Sequence, residues 1–365
     1  MILELITELG AGGAERVVFE LATRLPQVAV AALDGRGVFA DRLRERGVAV
    51  YDLGARRKTD VGVVWRLRRL LRELRPRVLH THLFHANLLG RLAAAGLHIP
   101  ALSTCHIMET RPRPWHFFLD RLTARLAAGE VCVSQAVADF QRQKTGLPAE
   151  FFPVIYNGID LEKFRPAADR EALRRELNFP AAALTVGFLG RLAPQKGVDI
   201  FIRAIAALMN LAPELAPQVA WVVGGAGSEE RKLRELAADL NLPHILFCGE
   251  IAAPEKFLAA LDIAVMPSRY EGFGLVAAEA QSCGAAVIAA DLPPLREIVA
   301  DGENGLLTPP DADALAAALQ KLSVNPDLRR RLAAAGQQSA RRFEVEKMAN
   351  EYRRLLERTE LRVKS

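Results

Sequence analysis

Two glutamates, Glu271 and Glu279, frame the segment of this sequence best suited to chemistry, Pro267–Ser268–Arg269–Tyr270–Glu271–Gly272–Phe273–Gly274–Leu275–Val276–Ala277–Ala278–Glu279. It follows an apolar run that reads as a strand, and Gly274–Leu275 reads as the start of a helix. Glu271 is then a loop carboxylate beside the helix N-terminus. Glu279 falls about two turns inside, on a face otherwise made of Leu275, Ala278 and Ser282. A carboxylate on an apolar face is costly to bury unless something hydrogen-bonds it, and a ribose diol would do so. Gly272 and Gly274 leave backbone N–H groups open to phosphate, and Phe273 supplies an apolar wall. An exposed or salt-bridged helix residue is the plain alternative for Glu279 taken alone.

Three glycine-rich turns follow strand candidates. In Gly10–Ala11–Gly12–Gly13–Ala14–Glu15 a dinucleotide fingerprint would need glycine where Glu15 stands, so that reading fails, and a loop open to close ligand approach remains. The second turn, Gly187 to Gly197, carries two cations at a strand end, Arg191 just after Gly190 and Lys196 just before Gly197. An arginine fork and a lysine point charge together suit a diphosphate. The third, Gly224–Gly225–Ala226–Gly227, is weakest and also reads as a close-packing turn.

His106 follows a strand, at the end where parallel sheets place their ligands, and is read as functional. His80 and His82 are read as facing opposite ways across a strand end, so not as joint metal ligands. Asp311–Ala312–Asp313 reads as a helix cap. With Arg191 and Lys196 supplying positive charge, no metal or cofactor is expected.

These residues need a scaffold. In 365 residues, half of them apolar, apolar runs alternate with helical patterns, the order of an α/β chain of two domains with parallel sheets. Strands are expected at Ile2–Thr7, Val28–Leu33, Val48–Asp52, Val78–Thr81, Ala101–Thr104, Glu130–Ser134 and Phe152–Ile155, and then at Leu184–Leu189, Val219–Val223, Ile245–Cys248, Ile263–Met266, Ala286–Ala289 and Gly305–Leu307. The turn Tyr156–Asn157–Gly158–Ile159–Asp160 and the segment Phe164–Arg165–Pro166–Ala167 place the domain boundary between 166 and 167. A helix at Val345–Arg358 is left over after the last strand, and such a helix often packs back on a neighbouring domain. The four cysteines lack C-x-x-C spacing and read as buried free thiols of a reducing compartment. The N-terminus reads as a strand rather than a signal peptide and no apolar run reaches membrane-spanning length, so a cytoplasmic protein is expected.

Charge is uneven: 24 basic residues against 17 acidic in 1–166, and 24 against 26 in 167–365. Thirteen of the basic residues lie between Arg36 and Arg77, against five acidic ones. Val61, Val64, Trp65, Leu70, Leu71 and Leu74 among those arginines read either as a basic amphipathic helix on the inner face of an anionic membrane or as an ordinary crossover helix. RNA fits poorly, because aromatic residues are too sparse for stacking, and no nucleic-acid partner is expected.

Nearly end to end, the chain resembles retaining glycosyltransferases of family 4 (group 1), with the two-Rossmann-domain GT-B architecture. The matching pieces are Gly12–Gly13–Ala14–Glu15, His80–Thr81–His82, Ser103–Thr104–Cys105–His106, Val133–Ser134, Tyr156–Asn157–Gly158–Ile159–Asp160, Gly190–Arg191 with Lys196–Gly197, the glutamate pair, and Asp301–Gly302–Glu303–Asn304–Gly305–Leu306. The resemblance implies two doubly wound domains facing a cleft, acceptor in 1–166 and donor in 167–344. It implies that Glu279 holds a ribose, Glu271 the transferred sugar, and Arg191 and Lys196 the diphosphate. Gly12, Gly13 and His106 would meet the donor, and the backbone near Ile251 its base. A UDP- or GDP-sugar would then be the donor, and a saccharide or lipid-linked acceptor of lipopolysaccharide, O-antigen or exopolysaccharide synthesis the partner. Ala226, where relatives carry an acid, and Ala286, where proline is common, depart from the pattern and leave the subgroup open. A nucleotide-sugar epimerase and a non-enzymatic nucleotide- or RNA-binding protein are the competing readings.

Overall fold

The computed structural model describes residues 1–55, 60, 62–108, 114–181, 184–242 and 244–364. Backbone contacts divide the chain into two units, Met1–Gly158 with Val345–Ser365, and Ile159–Glu344.

In the first unit six strands, β1 (Ile2–Glu8), β2 (Val28–Asp34), β3 (Ala49–Asp52), β4 (Val78–His82), β5 (Ala101–Cys105) and β6 (Gly129–Cys132), form a parallel sheet in the order β3-β2-β1-β4-β5-β6. The second unit repeats this pattern with β7 (Leu184–Leu189), β8 (Val219–Gly224), β9 (Ile245–Gly249), β10 (Ile263–Met266), β11 (Ala286–Ala290) and β12 (Leu306–Thr308), in the order β12-β11-β10-β7-β8-β9. Both are doubly wound sheets whose strand order reverses between the two central strands, β1 and β4 in one and β7 and β10 in the other. The crevice beyond such a reversal is where ligands bind.

Central strands are buried on both faces because helices cover both; β4, β7, β8, β10 and β11 are buried throughout. The helix Gly13–Arg24 buries Ala14, Val17, Val18, Leu21 and Ala22, one stripe at helical spacing. Val345, Met348, Tyr352 and Leu356 of the last helix join Ile2, Val17, Leu21, Val78 and Val131 in one core of the first unit. Burial of side chains this size is worth about 1.5–3 kcal/mol each, which fixes that helix to the sheet despite the long excursion that precedes it.

Three expectations change. Phe152–Ile155 makes only an isolated bridge, Val154 to Cys132, since Pro153 has no N–H for a ladder. The division falls at Gly158, earlier than 166, because Ile159 N–H already bonds Phe343 O, and Ser282 Oγ donates to Phe164 O. Cys132 and Cys283 are buried, whereas Cys105 and Cys248 are partly exposed; all four are free.

Candidate functional site

In the second unit three strand-end loops knit together. The β7 and β8 loops exchange Leu192 N–H to Ala226 O (2.9 Å), Gly190 N–H to Gly224 O (3.0 Å) and Glu229 N–H to Leu192 O (3.0 Å). Gly225, at φ +125°, lies so close to Gly190 that an added Cβ would sit 1.9 Å from its carbonyl oxygen. Gly197 is left-handed at φ +65°, and a Cβ there would lie 2.0 Å from Pro267 O. That approach brings the β7 loop onto the β10 loop, where Arg269 N–H bonds Gln195 O (2.8 Å) and Gln195 Nε2 bonds Tyr270 O (3.0 Å).

Lys196 and Glu271, chosen for separate tasks, meet directly: Lys196 Nζ is 2.6 Å from Glu271 Oε1, to which Ser268 Oγ also donates at 2.7 Å. Glu271 is buried and Lys196 half-buried. Gly274 caps the helix Leu275–Ser282 at φ +103°, so the helix N-terminus with its positive dipole end begins three residues after Glu271. Gly272 is buried beside it, Leu275 is partly buried, and Phe273 is buried with its ring 5.1 Å from Phe343. Glu279 is 2 % exposed. Arg191 is exposed and forms no ion pair among the described residues, while Arg269 is held in a fork by Asp199 at 2.7 and 2.8 Å. Ile251 packs beside Gly224. One corner, at the strand reversal, thus carries Lys196, Glu271, a free arginine and a helix N-terminus. A cavity of about 500 Å³ lies among Arg234, Ala237, Leu242, Ile245 and Phe247, beside the edge strand β9, and no carboxylate or histidine lines it among the described residues.

In the first unit Gly12 caps the helix Gly13–Arg24, and a Cβ on it would collide with the Glu15 carboxylate at 2.2 Å. The pair His80 and His82 corrects its sequence reading. Residues two apart on a strand share a face, and both rings lie against Glu4, on the neighbouring strand β1. His82 Nε2 is 2.7 Å from Glu4 Oε2, and His80 Nδ1 is 2.9 Å from the same oxygen without hydrogen-bond alignment. Ligands around one zinc ion stand about 3.3 Å apart, given Zn–N bonds of about 2.0–2.1 Å; the spacing here is that of hydrogen bonds. His82 Nδ1 reaches His106 Nε2 at 2.9 Å, and His80 Nε2 reaches Thr104 Oγ1 at 2.8 Å.

Burial alone would raise the Glu4 carboxyl, but the adjacent His80 and His82 outweigh it and hold it down at about 2. Burial, aided by His80, pushes His82 down to about 4, and burial with the same neighbours carries His106 well below the ordinary histidine range. At neutral pH the chain Glu4–His82–His106 is a carboxylate with two neutral imidazoles. Glu4 was missed by the sequence reading, although a lone acid in the apolar run Ile2–Leu3–Glu4–Leu5–Ile6 is itself a signal, because its burial requires a partner.

A second buried network lies nearby. Arg91, fully buried, bonds Asp120 and Glu130 at 3.0 Å each and Ser103 at 3.1 Å. Asp120 is raised to about 7 by burial and then by Glu130, against the pull of Arg91. A cavity of about 60 Å³ separates the two networks, lined by Phe84, Asn87, His106, His116, Asp120 and Gln141 among others.

The basic helix of the sequence reading is Gly62–Leu74, and its apolar stripe faces inward. Val63, Leu67 and Leu71 are buried in the core, with Val64, Leu70 and Leu74 packed against it; Val61 lies outside the described residues. Trp65 stays 73 % exposed. Arg66 and Arg68 bond the carbonyls of Leu53, Ala93 and Ala95, so this helix is a crossover helix rather than a membrane-facing one. The exposed apolar stripe lies instead on Trp115, Phe118, Leu122 and Leu126, beside exposed Arg121 and Arg125. Among the described residues no helix is long and apolar enough to cross a membrane.

Residues 11–163 match the family described as Glycosyltransferase Family 4, and residues 169–339 match Glycosyl transferases group 1. A D-inositol 3-phosphate glycosyltransferase of Thermobispora bispora is 33% identical over 77% of this chain and 71% of its own length. Another of that name, from Streptomyces bingchenggensis, is 34% identical over 74% of this chain; the match spans 64% of that relative, just under two thirds of its length. The crystal structure of HepE of Anabaena in complex with UDP and glucose matches with a TM-score of 0.88 at 25% identity, covering 98% of this chain and 99% of that one. With its paired doubly wound sheets and these matches, the chain belongs to glycosyltransferase family 4 and has the GT-B fold.

Proposed function

We propose that this protein transfers a hexose, with retention at the anomeric carbon, from a uridine diphosphate sugar to a hydroxyl acceptor. The carrying observation is the Lys196–Glu271 pair at the N-terminus of the helix Leu275–Ser282, on the strand reversal. A departing diphosphate needs fixed positive charge where its own charge develops, and preorganised groups in a water-poor corner supply it without reorganising. Lys196, the free Arg191 and the helix N-terminus fill that role. Glu271, already oriented by Lys196 and Ser268, takes hydroxyls of the sugar, and Glu279 those of the ribose. Gly190, Gly272, Phe273, Gly274, Leu275 and Ile251 form the remaining donor wall. No metal is assigned, since the positive groups of the chain serve its purpose. HepE, crystallised with UDP and glucose, supports uracil as the base and a hexose as the cargo.

The acceptor reading is a saccharide or lipid-linked saccharide of envelope polysaccharide synthesis, taken at the surface of an anionic membrane. Its support is the stripe Trp115, Phe118, Leu122 and Leu126 flanked by Arg121 and Arg125, an amphipathic arrangement suited to a lipid–water boundary. The names of the relatives above favour a second acceptor, a phosphorylated polyol. Incubation with UDP-glucose, UDP-N-acetylglucosamine and GDP-mannose, against lipid-linked saccharide and inositol phosphate acceptors, separates these. Acceptor-dependent UDP release supports the reading; conversion of the free nucleotide sugar without an acceptor would identify an epimerase instead. Sedimentation with anionic vesicles tests the stripe: no binding by the unaltered protein would remove the membrane from the proposal, and a Phe118→Ser/Leu122→Ser variant that still binds would remove the stripe from it.

A further inference from the structure

The hydrogen-bond chain Glu4–His82–His106 has a direction set at one end. An ionised Glu4 can only accept, so His82 Nε2 carries the proton given over 2.7 Å. A neutral imidazole has one N–H, which leaves His82 Nδ1 as an acceptor and makes His106 Nε2, 2.9 Å away, the donor. His106 Nδ1 is then bare, and this atom is buried without a partner. The His106 ring lines the cavity of about 60 Å³ with Asn87 and Gln141, room for a few water-sized groups.

We propose that Glu4 is a positioning residue which, through His82, locks His106 in its Nε2-protonated tautomer, so that Nδ1 accepts a hydrogen bond from a hydroxyl of a bound ligand. Calling that ligand a sugar or polyol rests on the transferase reading above; the tautomer does not. The reverse direction would turn a His82 lone pair toward the Glu4 carboxylate, leaving two buried acceptors face to face, an arrangement that costs free energy on both sides. His80 flanks the carboxylate on the other side, its Nδ1 2.9 Å from the same oxygen and its ring anchored through Nε2 to Thr104. Ligands that offer only acceptors, such as a bare phosphate oxygen, gain nothing from Nδ1, whereas an alcohol gains a partner for its proton.

The test is nitrogen NMR of the full chain labelled on histidine. At pH 7 the His106 ring is expected to show an imine-type Nδ1 and a pyrrole-type Nε2, with the same pattern on His82. In Glu4→Gln the carboxamide can offer His82 an N–H, so the His106 nitrogens should shift toward a mixed or inverted tautomer. A protonated Nδ1 on His106 in the unaltered protein overturns the proposal even if the variant fails to fold. Unchanged His106 nitrogens in folded Glu4→Gln overturn it as well. Where UDP release from UDP-glucose depends on an acceptor, Glu4→Gln should lower kcat/KM roughly tenfold, the worth of about one hydrogen bond; an unaltered value overturns the ligand contact. Absence of any transfer by the unaltered protein would refute the transferase reading and leave the nitrogen spectra to judge the lock.

Discussion

Lys196 Nζ and Glu271 Oε1 lie 2.6 Å apart, joining the β7 loop to the β10 loop across the strand reversal, and Ser268 holds the same carboxylate oxygen. On the proposed function the ammonium has two tasks, aiming the glutamate and meeting a diphosphate. Lys196→Ala removes both. Transfer should fall by about 10²–10³, the usual effect of deleting one preorganised donor, with only a modest loss of melting temperature because the lysine is partly exposed. Steady-state kinetics beside thermal melts decide it; a variant with full activity would end the assignment.

Glu271→Gln keeps the shape and removes the charge. Ser268 can still bond the carboxamide, but Lys196 loses its counterion. If Glu271 holds the sugar, kcat should fall while UDP, which lacks that sugar, binds as tightly as before by calorimetry. Equal weakening of UDP binding would move Glu271 from the sugar to the diphosphate.

Gly197→Ala tests the loop contact itself. A left-handed alanine costs about 1–2 kcal/mol, and its Cβ would meet Pro267 O at 2.0 Å, a rigid backbone atom. Denaturant unfolding should show a loss of at least about 2 kcal/mol, and activity should fall with it as the β7 and β10 loops separate. Gly302→Ala is the control: it shares the left-handed backbone, at φ +72°, but nothing lies within 4 Å of its added Cβ.

The two buried networks predict opposite pH trends. His82 is depressed in the fold, from 6.5 to about 4. Below 6.5 the unfolded chain gains a proton that the folded one refuses, so stability falls between pH 6.5 and 4, by up to a few kcal/mol. Glu4, depressed to about 2, extends the same fall below 4.5. Asp120 is raised from 3.8 to about 7, so its contribution is present below 3.8 and is lost as pH rises to 7. Melts from pH 4 to 8 should therefore show Asp120→Asn steepening the acid-side fall and His82→Gln flattening it. If both curves run parallel to the unaltered protein, the assignments fail.

Much of the scaffold was readable because parallel strands covered on both faces are plain apolar runs, as in Leu184–Leu189 and Ile263–Met266. The strand order was not readable, since nothing local says that β1 lies beside β4 and β7 beside β10. The residues of the candidate site stood out by type, Arg191 and Lys196 after one strand and Glu271 after another. Their pairing did not, because it depends on two loops far apart in sequence. Val64, Leu70 and Leu74 left the membrane and crossover readings open because an amphipathic helix looks the same whether lipid or a core receives it; their packing against the core that holds Val63, Leu67 and Leu71 distinguishes the two. Glu4 was legible in principle, as the single charge in the buried apolar stretch Ile2–Ile6 of β1.

The repeated strand order has a kinetic consequence. Glu4 and His82 are 78 residues apart in sequence, and Lys196 and Glu271 are 75 apart. Each pair spans the seam where the two halves of a sheet meet, so neither exists until that seam has closed. Contacts of such long range are slow to form, because the loop entropy must be overcome before they stabilise anything. On refolding from denaturant, helical signal should return early, whereas the His106 nitrogen pattern and the capacity to bind UDP should return together and last. Catalytic competence would thus report the closing of the seams rather than the gain of secondary structure, and a chain stalled with open seams would look folded while remaining inert.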